Sequence, residues 1–398
     1  MTSTSRKVAL ATLTGAVALG TVLGTAGAAS AGTLHQVPDG QVIRIHTDAV
    51  DKTVMGTLTV TQPLAAGHAR AYECGELKPN SSVINFAAGQ TVASYVTVHT
   101  DEKGDFCVYT SADAHFVFDQ TATVDDDVLK AERPERRLDT REGEHAHKSV
   151  GGTVTRVTTP NTNSTVFGTL TVTNPETSGW ALAYPCDAPK RPLASTVNFT
   201  AGQTIANFIG VRTDAAGEFC IFSPATANFV FDQVAATDFV KAELPERLFD
   251  SRDDSDHAED KVLAGEVIEV QTDDPDSMVF GTLTVTGGEA QGWATAYPCS
   301  KPRPWASSIN FPANTSVAAF IGVATDNTGK FCVYTNTKAS IVFDRVAATD
   351  LIKGGEPFRR LDSRDRWEDE QEHEHTQEDE STDDSASASP SASASAAS

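Results

Sequence analysis

Val279-Phe280-Gly281-Thr282-Leu283-Thr284-Val285 turns its aliphatic side chains to one face and its threonines to the other. A period of two belongs to a half-buried β-strand, not to a helix. Downstream comes an aromatic segment, Gly292-Trp293-Ala294-Thr295-Ala296-Tyr297-Pro298-Cys299, and then a Pro/Lys/Arg loop over 301–305. Ser308-Ile309-Asn310-Phe311 starts another strand. A hairpin follows, 319–325 and 330–334, turned by Asp326-Asn327-Thr328-Gly329. Gly329 supplies the positive φ that closes such a turn. Ser340-Ile341-Val342-Phe343-Asp344 reads as the last strand, and the short Ala-rich run 347–353 is the one helical candidate.

This sentence is written three times. The Leu-Thr-Val-Thr strands begin at Leu58, Leu170 and Leu283, and the turn recurs at Asp101/Gly104 and Asp214/Gly217. A period of roughly 110 residues is too long for a solenoid unit and has the size of a domain. Each copy carries two cysteines, 33, 34 and 33 residues apart: Cys74/Cys107, Cys186/Cys220 and Cys299/Cys332. One structural disulfide per copy is expected, since zinc would need clustered ligands of the C-x-x-C kind and there are none. Each copy closes on an Arg-rich tag ending at Arg141, Arg252 or Arg364. Short strands with turn signals every 8–12 residues argue an all-β fold. The expectation is three tandem β-sandwich-like domains over 33–141, 150–252 and 261–364, each tag belonging to the copy before it. Residues 365–398 read as a disordered acidic, Ser/Ala-rich tail.

The first 31 residues have the parts of a secretion signal peptide: Arg6 and Lys7, an Ala/Gly-rich apolar core, and Ala29-Ser30-Ala31 as a cleavage site. The mature chain is expected to begin at Gly32 and to be secreted, with no membrane span after signal removal. The formal net charge of −23 argues against nucleic acid and anionic lipid as partners, both of which call for a basic surface.

Asn-Phe-x-Ala-Gly-Gln-Thr occurs at 85–91 and 198–204, and in altered form as Asn310-Phe311-Pro312-Ala313-Asn314-Thr315. Together with the Tyr-x-Cys before it and the Arg-Leu-Asp-Thr-Arg tag after it, the repeat resembles that of secreted actinobacterial proteins carrying a Pro-x-Arg-Leu-Leu-Asp-Thr-Arg signature. The tags here, Arg136-Arg137-Leu138-Asp139-Thr140-Arg141, Arg247-Leu248-Phe249-Asp250-Ser251-Arg252 and Arg359-Arg360-Leu361-Asp362-Ser363-Arg364, each lack the double Leu. The resemblance implies extracellular β-rich modules of the cell envelope and names no activity.

The residues themselves weigh against catalysis. There is no G-x-S-x-G elbow, no histidine recurs in all three copies, and no carboxylate pair stands out as a glycosidase acid and nucleophile. The tag aspartates, Asp139, Asp250 and Asp362, each precede an Arg by two residues and read as structural ion pairs, with Asp119, Asp232 and Asp344 as caps or partners of the tag arginines. Glu-His-x-His occurs at His145/His147 and His373/His375, in low-complexity sequence, so no metal site or cofactor is assigned. The best ligand-binding candidates are aromatic: Trp180, Tyr184, Trp293, Tyr297 and Trp305. Copy one keeps Tyr72 but has His68 in place of the Trp. Exposed rings of this kind stack on sugars, while buried ones pack between sheets. The expected role is non-enzymatic and multivalent: binding or structural, toward polysaccharide or another secreted protein. The rival readings are a protein-interaction or hydrolase-inhibitor array built on the Pro-rich loops 187–193 and 300–305, and a glycan hydrolase with an unrecognised carboxylate site.

Overall fold

The computed structural model describes residues 36–143, 146–253 and 261–365. The leader, His145, the rest of the acidic bridge at 254–260, and the tail with His373 and His375 lie outside them. Among the described residues there are 24 strands and no helix, so none that could cross a membrane as a helix.

The first repeat contributes β1 (Val42–His46), β2 (Thr53–Thr61), β3 (Gly67–Glu73), β4 (Ile84–Phe86), β5 (Val92–His99), β6 (Asp105–Thr110) and β7 (His115–Val124), then the tag strand β8 (Glu135–Asp139). The second gives β9 (Val154–Thr158), β10 (Thr165–Thr173), β11 (Gly179–Pro185), β12 (Val197–Phe199), β13 (Ile205–Arg212), β14 (Glu218–Phe222), β15 (Asn228–Thr237) and the tag strand β16 (Glu246–Asp250). The third gives β17 (Val267–Gln271), β18 (Met278–Thr286), β19 (Gly292–Pro298), β20 (Ile309–Phe311), β21 (Ser316–Ala324), β22 (Lys330–Thr335), β23 (Ser340–Thr349) and the tag strand β24 (Gly354–Asp362). The Leu-Thr-Val-Thr segments lie in β2, β10 and β18 as read. The Asp-x-x-Gly turns close as read too. Gly217 has φ 77°, and a Cβ there would stand 2.4 Å from the Thr159 carbonyl oxygen. The helical candidate at 347–353 is not a helix. Ala347 lies in β23, whose ladder with β18 runs on to Thr349.

All six sheets are four-stranded. The outer sheets run β1-β6-β3-β4, β9-β14-β11-β12 and β17-β22-β19-β20. The inner sheets run β24-β7-β2-β5, β8-β15-β10-β13 and β16-β23-β18-β21. Each inner sheet therefore takes its edge strand from another repeat: β8 pairs with β15, β16 with β23, and β24 returns to pair with β7. This corrects two expectations. The tags do not close their own repeats, and the three repeats are not separate β-sandwich domains. They share one closed ring of six sheets, the blade and strand count of a six-bladed β-propeller, with the last strand locking onto the first repeat. The blades are built from non-consecutive strands.

Apolar residues from the two sheets of each repeat form one cluster, centred on Phe106 and Phe118, Phe219 and Phe231, or Phe331 and Phe343. The tags join these clusters from outside: Leu361 packs in the first, Leu138 against the second, Leu248 and Phe249 against the third. A fourth cluster lies where the three inner sheets face one another. There Tyr95, Phe208 and Phe320, at matching places on β5, β13 and β21, touch pairwise with ring centroids 6.0, 5.8 and 5.5 Å apart. A bulge in β15 and in β23 turns Val234 and Val346 into this centre. The repeats are thus bound by shared core as well as by strand exchange.

Candidate binding site

The cysteines bond as read, Cys74–Cys107, Cys186–Cys220 and Cys299–Cys332. Each bridge ties two neighbouring strands of an outer sheet. By loop length each stabilises by about 3–4 kcal/mol on the chain-entropy account. Disulfides of this kind suit an oxidising compartment.

The tag residues each have a contact that explains the motif. Arg136 donates from Nε to Asp232 (2.8 Å) and from Nη1 to Asp139 (2.8 Å). Arg247 does the same to Asp344 (2.6 Å) and Asp250 (2.6 Å), and Arg359 to Asp119 (2.6 Å) and Asp362 (2.9 Å). The final Arg141, Arg252 and Arg364 grip the tag aspartates. The tag Ser/Thr hydroxyls prolong the ladder, accepting from the backbone N–H of Phe229, Ile341 and Phe116 at 3.0, 3.0 and 2.8 Å. The aspartates expected to partner the tag arginines do so, but in the next repeat around the ring. Burial pushes the Asp119 and Asp344 carboxyls above the ordinary range, against the pull of Arg359 and Arg247. The Arg141 guanidinium holds Asp139 below that range. These carboxylates are engaged in holding the ring together.

One position differs among the three clasps. Arg137 and Arg360 donate to Gln233 (3.2 Å) and Gln120 (2.8 Å). The third repeat has Arg345 where the others have Gln, and the tag that reaches it has Leu248 where the others have Arg. Arg345 instead pairs with Glu246 at 2.5 Å.

The aromatic candidates separate into two groups. Tyr184 and Tyr297 are buried, at 8% and 5% exposure, opposite Cys220 and Cys332 on the neighbouring strand. Their rings are not offered to solvent. Trp180 and Trp293 are half-buried on the outer sheets and lean on Phe222 (5.6 Å) and Tyr334 (5.2 Å). A cation from the Pro-rich loop caps the second ring: Arg191 over Phe222 at 3.5 Å and Arg303 over Tyr334 at 3.9 Å. The first repeat keeps the same order with His68, Tyr109 and Lys78. Phe222, Tyr334 and Tyr109 were missed in the sequence; the Cys-x-aromatic spacing would have found them. These cation–π contacts stiffen the loops.

Directly across the strands, Trp180 faces Asn198, Trp293 faces Asn310 and His68 faces Asn85. Opposed residues of this kind hold their side chains about 5 Å apart. The Asn of the Asn-Phe run is therefore a companion of the Trp, which neither motif alone reveals. At two seams these pairs stand in the wall of a cleft. The cleft of about 280 Å³ between repeats two and three is lined by Trp180, Ser195, Asn198, Arg247, Thr284 and Asp344. The cleft of about 170 Å³ between repeats one and two has His68, Ser82, Asn85, Arg136, Thr171 and Asp232 in the same roles. Its tag arginines are committed to their clasps, and Arg70 donates to His68 and to the Pro79 carbonyl. Asn198 makes no side-chain hydrogen bond among the described residues, and the buried Thr284 hydroxyl has no partner. At the third seam Arg359 donates to the Trp305 carbonyl, beside the Trp293–Asn310 pair, and the Thr59 hydroxyl is again unpartnered. The lip residue of the clefts changes from Asn80 to Leu193 to Trp305; the last two are 84% and 85% exposed.

His68 is held below its ordinary pKa by burial, then by Arg70 and Lys78. Cys186, Asp214 and Glu218 approach one another, but the Cys186 sulfur is committed to its disulfide.

No family model matches this chain, and no curated protein matches it. Solved structures give weak likenesses. The triple jelly roll protein of an archaeal virus turret is 11% identical, over 78% of this chain and 84% of that one, with a TM-score of 0.20. A chain of Sulfolobus turreted icosahedral virus is 10% identical over 78% and 85%, with a TM-score of 0.20. The tandem CBM22-1-CBM22-2 domain of Xyn10C from Paenibacillus barcinonensis is 11% identical over 56% and 99%, with a TM-score of 0.18. At these scores none bears on function.

Proposed function

We propose that this chain is a secreted, non-enzymatic, multivalent binding protein of the cell exterior whose ligand is an envelope or extracellular polysaccharide. The observation that carries the reading is the Trp180–Asn198 pair in the cleft between repeats two and three, a pairing that recurs across the strands as Trp293–Asn310. A half-exposed indole offers a face to the C–H side of a sugar ring, and the amide opposite offers a donor and an acceptor to its hydroxyls. Both sit on paired strands, the Trp strand is tied to β14 by a disulfide, and Phe222 under the indole is capped by Arg191, so little order has to be gained on binding. Ring closure fixes the seams at set spacings, and rigid spacing is what lets weak sites act together on one polymer.

The test is retention of the mature chain, 32–398, on insoluble peptidoglycan, chitin, cellulose and cells, beside Trp180→Ala/Trp293→Ala. Retention by the parent and loss by a variant that still melts cooperatively is expected. Equal retention of both, or of neither, overturns the reading. A protein partner is the second reading, favoured by the exposed Leu193 and Trp305 at the tips of stiffened Pro-rich loops. Capture of a secreted hydrolase, lost in Leu193→Asp/Trp305→Asp, would support it.

A further inference from the structure

Most of the Asn-Phe-x-Ala-Gly-Gln-Thr run lies outside the seam clefts, which take its Asn and, at one seam, Thr204. After its Asn, each copy loops over to β5, β13 or β21, the three strands that face one another at the centre of the ring. The loops turn on left-handed residues, Gly89 (φ 68°), Gly202 (φ 71°) and Asn314 (φ 55°). Asn enters that conformation at lower cost than most side chains. The three loops come together where the central strands begin, with Val92, Ile205 and Val317 lining one space. They border a cavity of about 640 Å³, larger than either seam cleft and inside the ~300–1,000 Å³ range of small-molecule sites.

Its lining is unusual for a chain of formal charge −23. Among the described residues, no Asp, Glu, Lys, Arg or His borders it. The polar groups are amides and hydroxyls, with Gln90, Asn198, Gln203, Asn310 and Asn314 supplying the amides. Gln90 and Gln203 each accept a backbone N–H, from Ala87 and Thr200, at 2.9 Å. That orients both amides and leaves each Nε2 donor without a partner among the described residues. Trp180 forms one wall. An ion entering here would lose water and gain no counter-charge. A ligand with many hydroxyls and an apolar face would meet both donors and acceptors and an indole.

We propose that this axial cavity is a single site for a neutral saccharide, the end of an uncharged glycan chain, distinct from the three seams. The inference rests on the polysaccharide reading above and names its ligand class. Trp180, Asn198 and Ser316 border both the cavity and a seam cleft, so the separating variants are at loop residues that border the cavity alone. Thr315→Arg drives a charged chain into an uncharged cavity. Asn314→Gly removes an amide and keeps the left-handed backbone that Gly89 and Gly202 already have.

The test is calorimetric titration of the mature chain with neutral oligomers of glucose, xylose, mannose and N-acetylglucosamine, with oligogalacturonate as the charged control. At least one neutral oligomer is expected to bind with about one site per chain, and oligogalacturonate none. Thr315→Arg is expected to weaken binding about tenfold or more, and Asn314→Gly by several-fold, the size of one lost hydrogen bond. Polymer retention through the seams should survive both changes. If polymer is retained but no neutral oligomer binds, or binding ignores both loop variants, the axial site is overturned and the seam reading stands. If neither polymer nor oligomer is retained, both fall.

Discussion

Arg359→Met should open the ring at its closing seam, where the last tag meets the first repeat. Arg359 donates to Asp119 at 2.6 and 3.4 Å and to Asp362 at 2.9 Å. The Asp119 side chain is only 2% exposed, while that of Arg359 is 34% exposed. Methionine keeps the stem of the side chain and removes the charge, leaving a buried carboxylate alone. Breaking a buried pair by losing one partner costs ~3–5 kcal/mol. Water reaches Arg359, so screening takes the cost below that range, to about 2–3 kcal/mol. Opening of β24 should then be about 30- to 150-fold more frequent. The readout is hydrogen exchange at the Phe116 and Ser363 amides, which bond across the seam at 2.8 and 2.9 Å. Two controls sharpen it. Adding Asp119→Asn should recover most of the loss, because removing both charges leaves nothing stranded. The single variant should also improve on acidification. Burial already raises the Asp119 pKa, and without Arg359 it rises further. A raised folded-state pKa means stability is lost as pH rises through it and regained below it. Exchange at these amides within threefold of the parent, or a double variant worse than the single, would refute the argument.

Two further outcomes follow from the same seam. Gln120→Arg should face Arg360 with a like charge and lose the 2.8 Å bond, raising seam exchange roughly 5- to 30-fold; Arg360→Leu added to it should restore the parent rate, and a silent Gln120→Arg would show that the pairing does not matter. His115, beside Ser363, is kept below its ordinary 6.5 by burial and then by Arg364, so the opened seam takes up a proton more readily and stability is lost as pH falls through 6.5. Between pH 7.5 and 5.5 this seam should loosen and the seam between repeats two and three should not, since Ser340 holds the place of His115 there; equal loosening of those two, or persistence in His115→Asn, would count against it.

Local structure was legible because it is written locally. The alternation in Val279–Val285 places β18, the Gly of each Asp-x-x-Gly turn is enforced by a carbonyl less than 3 Å from where a Cβ would sit, and cysteine spacing gave the right pairs. What was hidden is long-range. A tag such as Arg359–Arg364 has the same composition whichever sheet it joins, so its sequence cannot say that its partner Asp119 is 240 residues away. The Ala-rich run near Ala347 read as helix because small side chains fit helices well, yet they are small because three inner sheets crowd together there. The Trp–Asn pair shows the same limit. Trp180 and Asn198 belong to different motifs, and only strand register sets them face to face.

That hidden information is nevertheless in the chain, as differences among the copies. The three tags share the Arg that binds a buried Asp, so this contact attracts any tag to any repeat. Choice must come from a position where the copies disagree. Gln120 and Gln233 accept from a second tag Arg, whereas Arg345 would repel it. The tag with Leu248 fits Arg345; Glu246 pairs with it too, but the first tag has Glu135 at that place, so Leu248 makes the difference. The third repeat therefore rejects its own tag and the first repeat's tag, and takes the second's. With that seam assigned, Glu135-Arg136-Arg137 and Arg359-Arg360 remain for the two Gln-bearing repeats. Attraction common to all copies holds the tags on their neighbours, and one repulsive substitution directs the second tag to the third repeat.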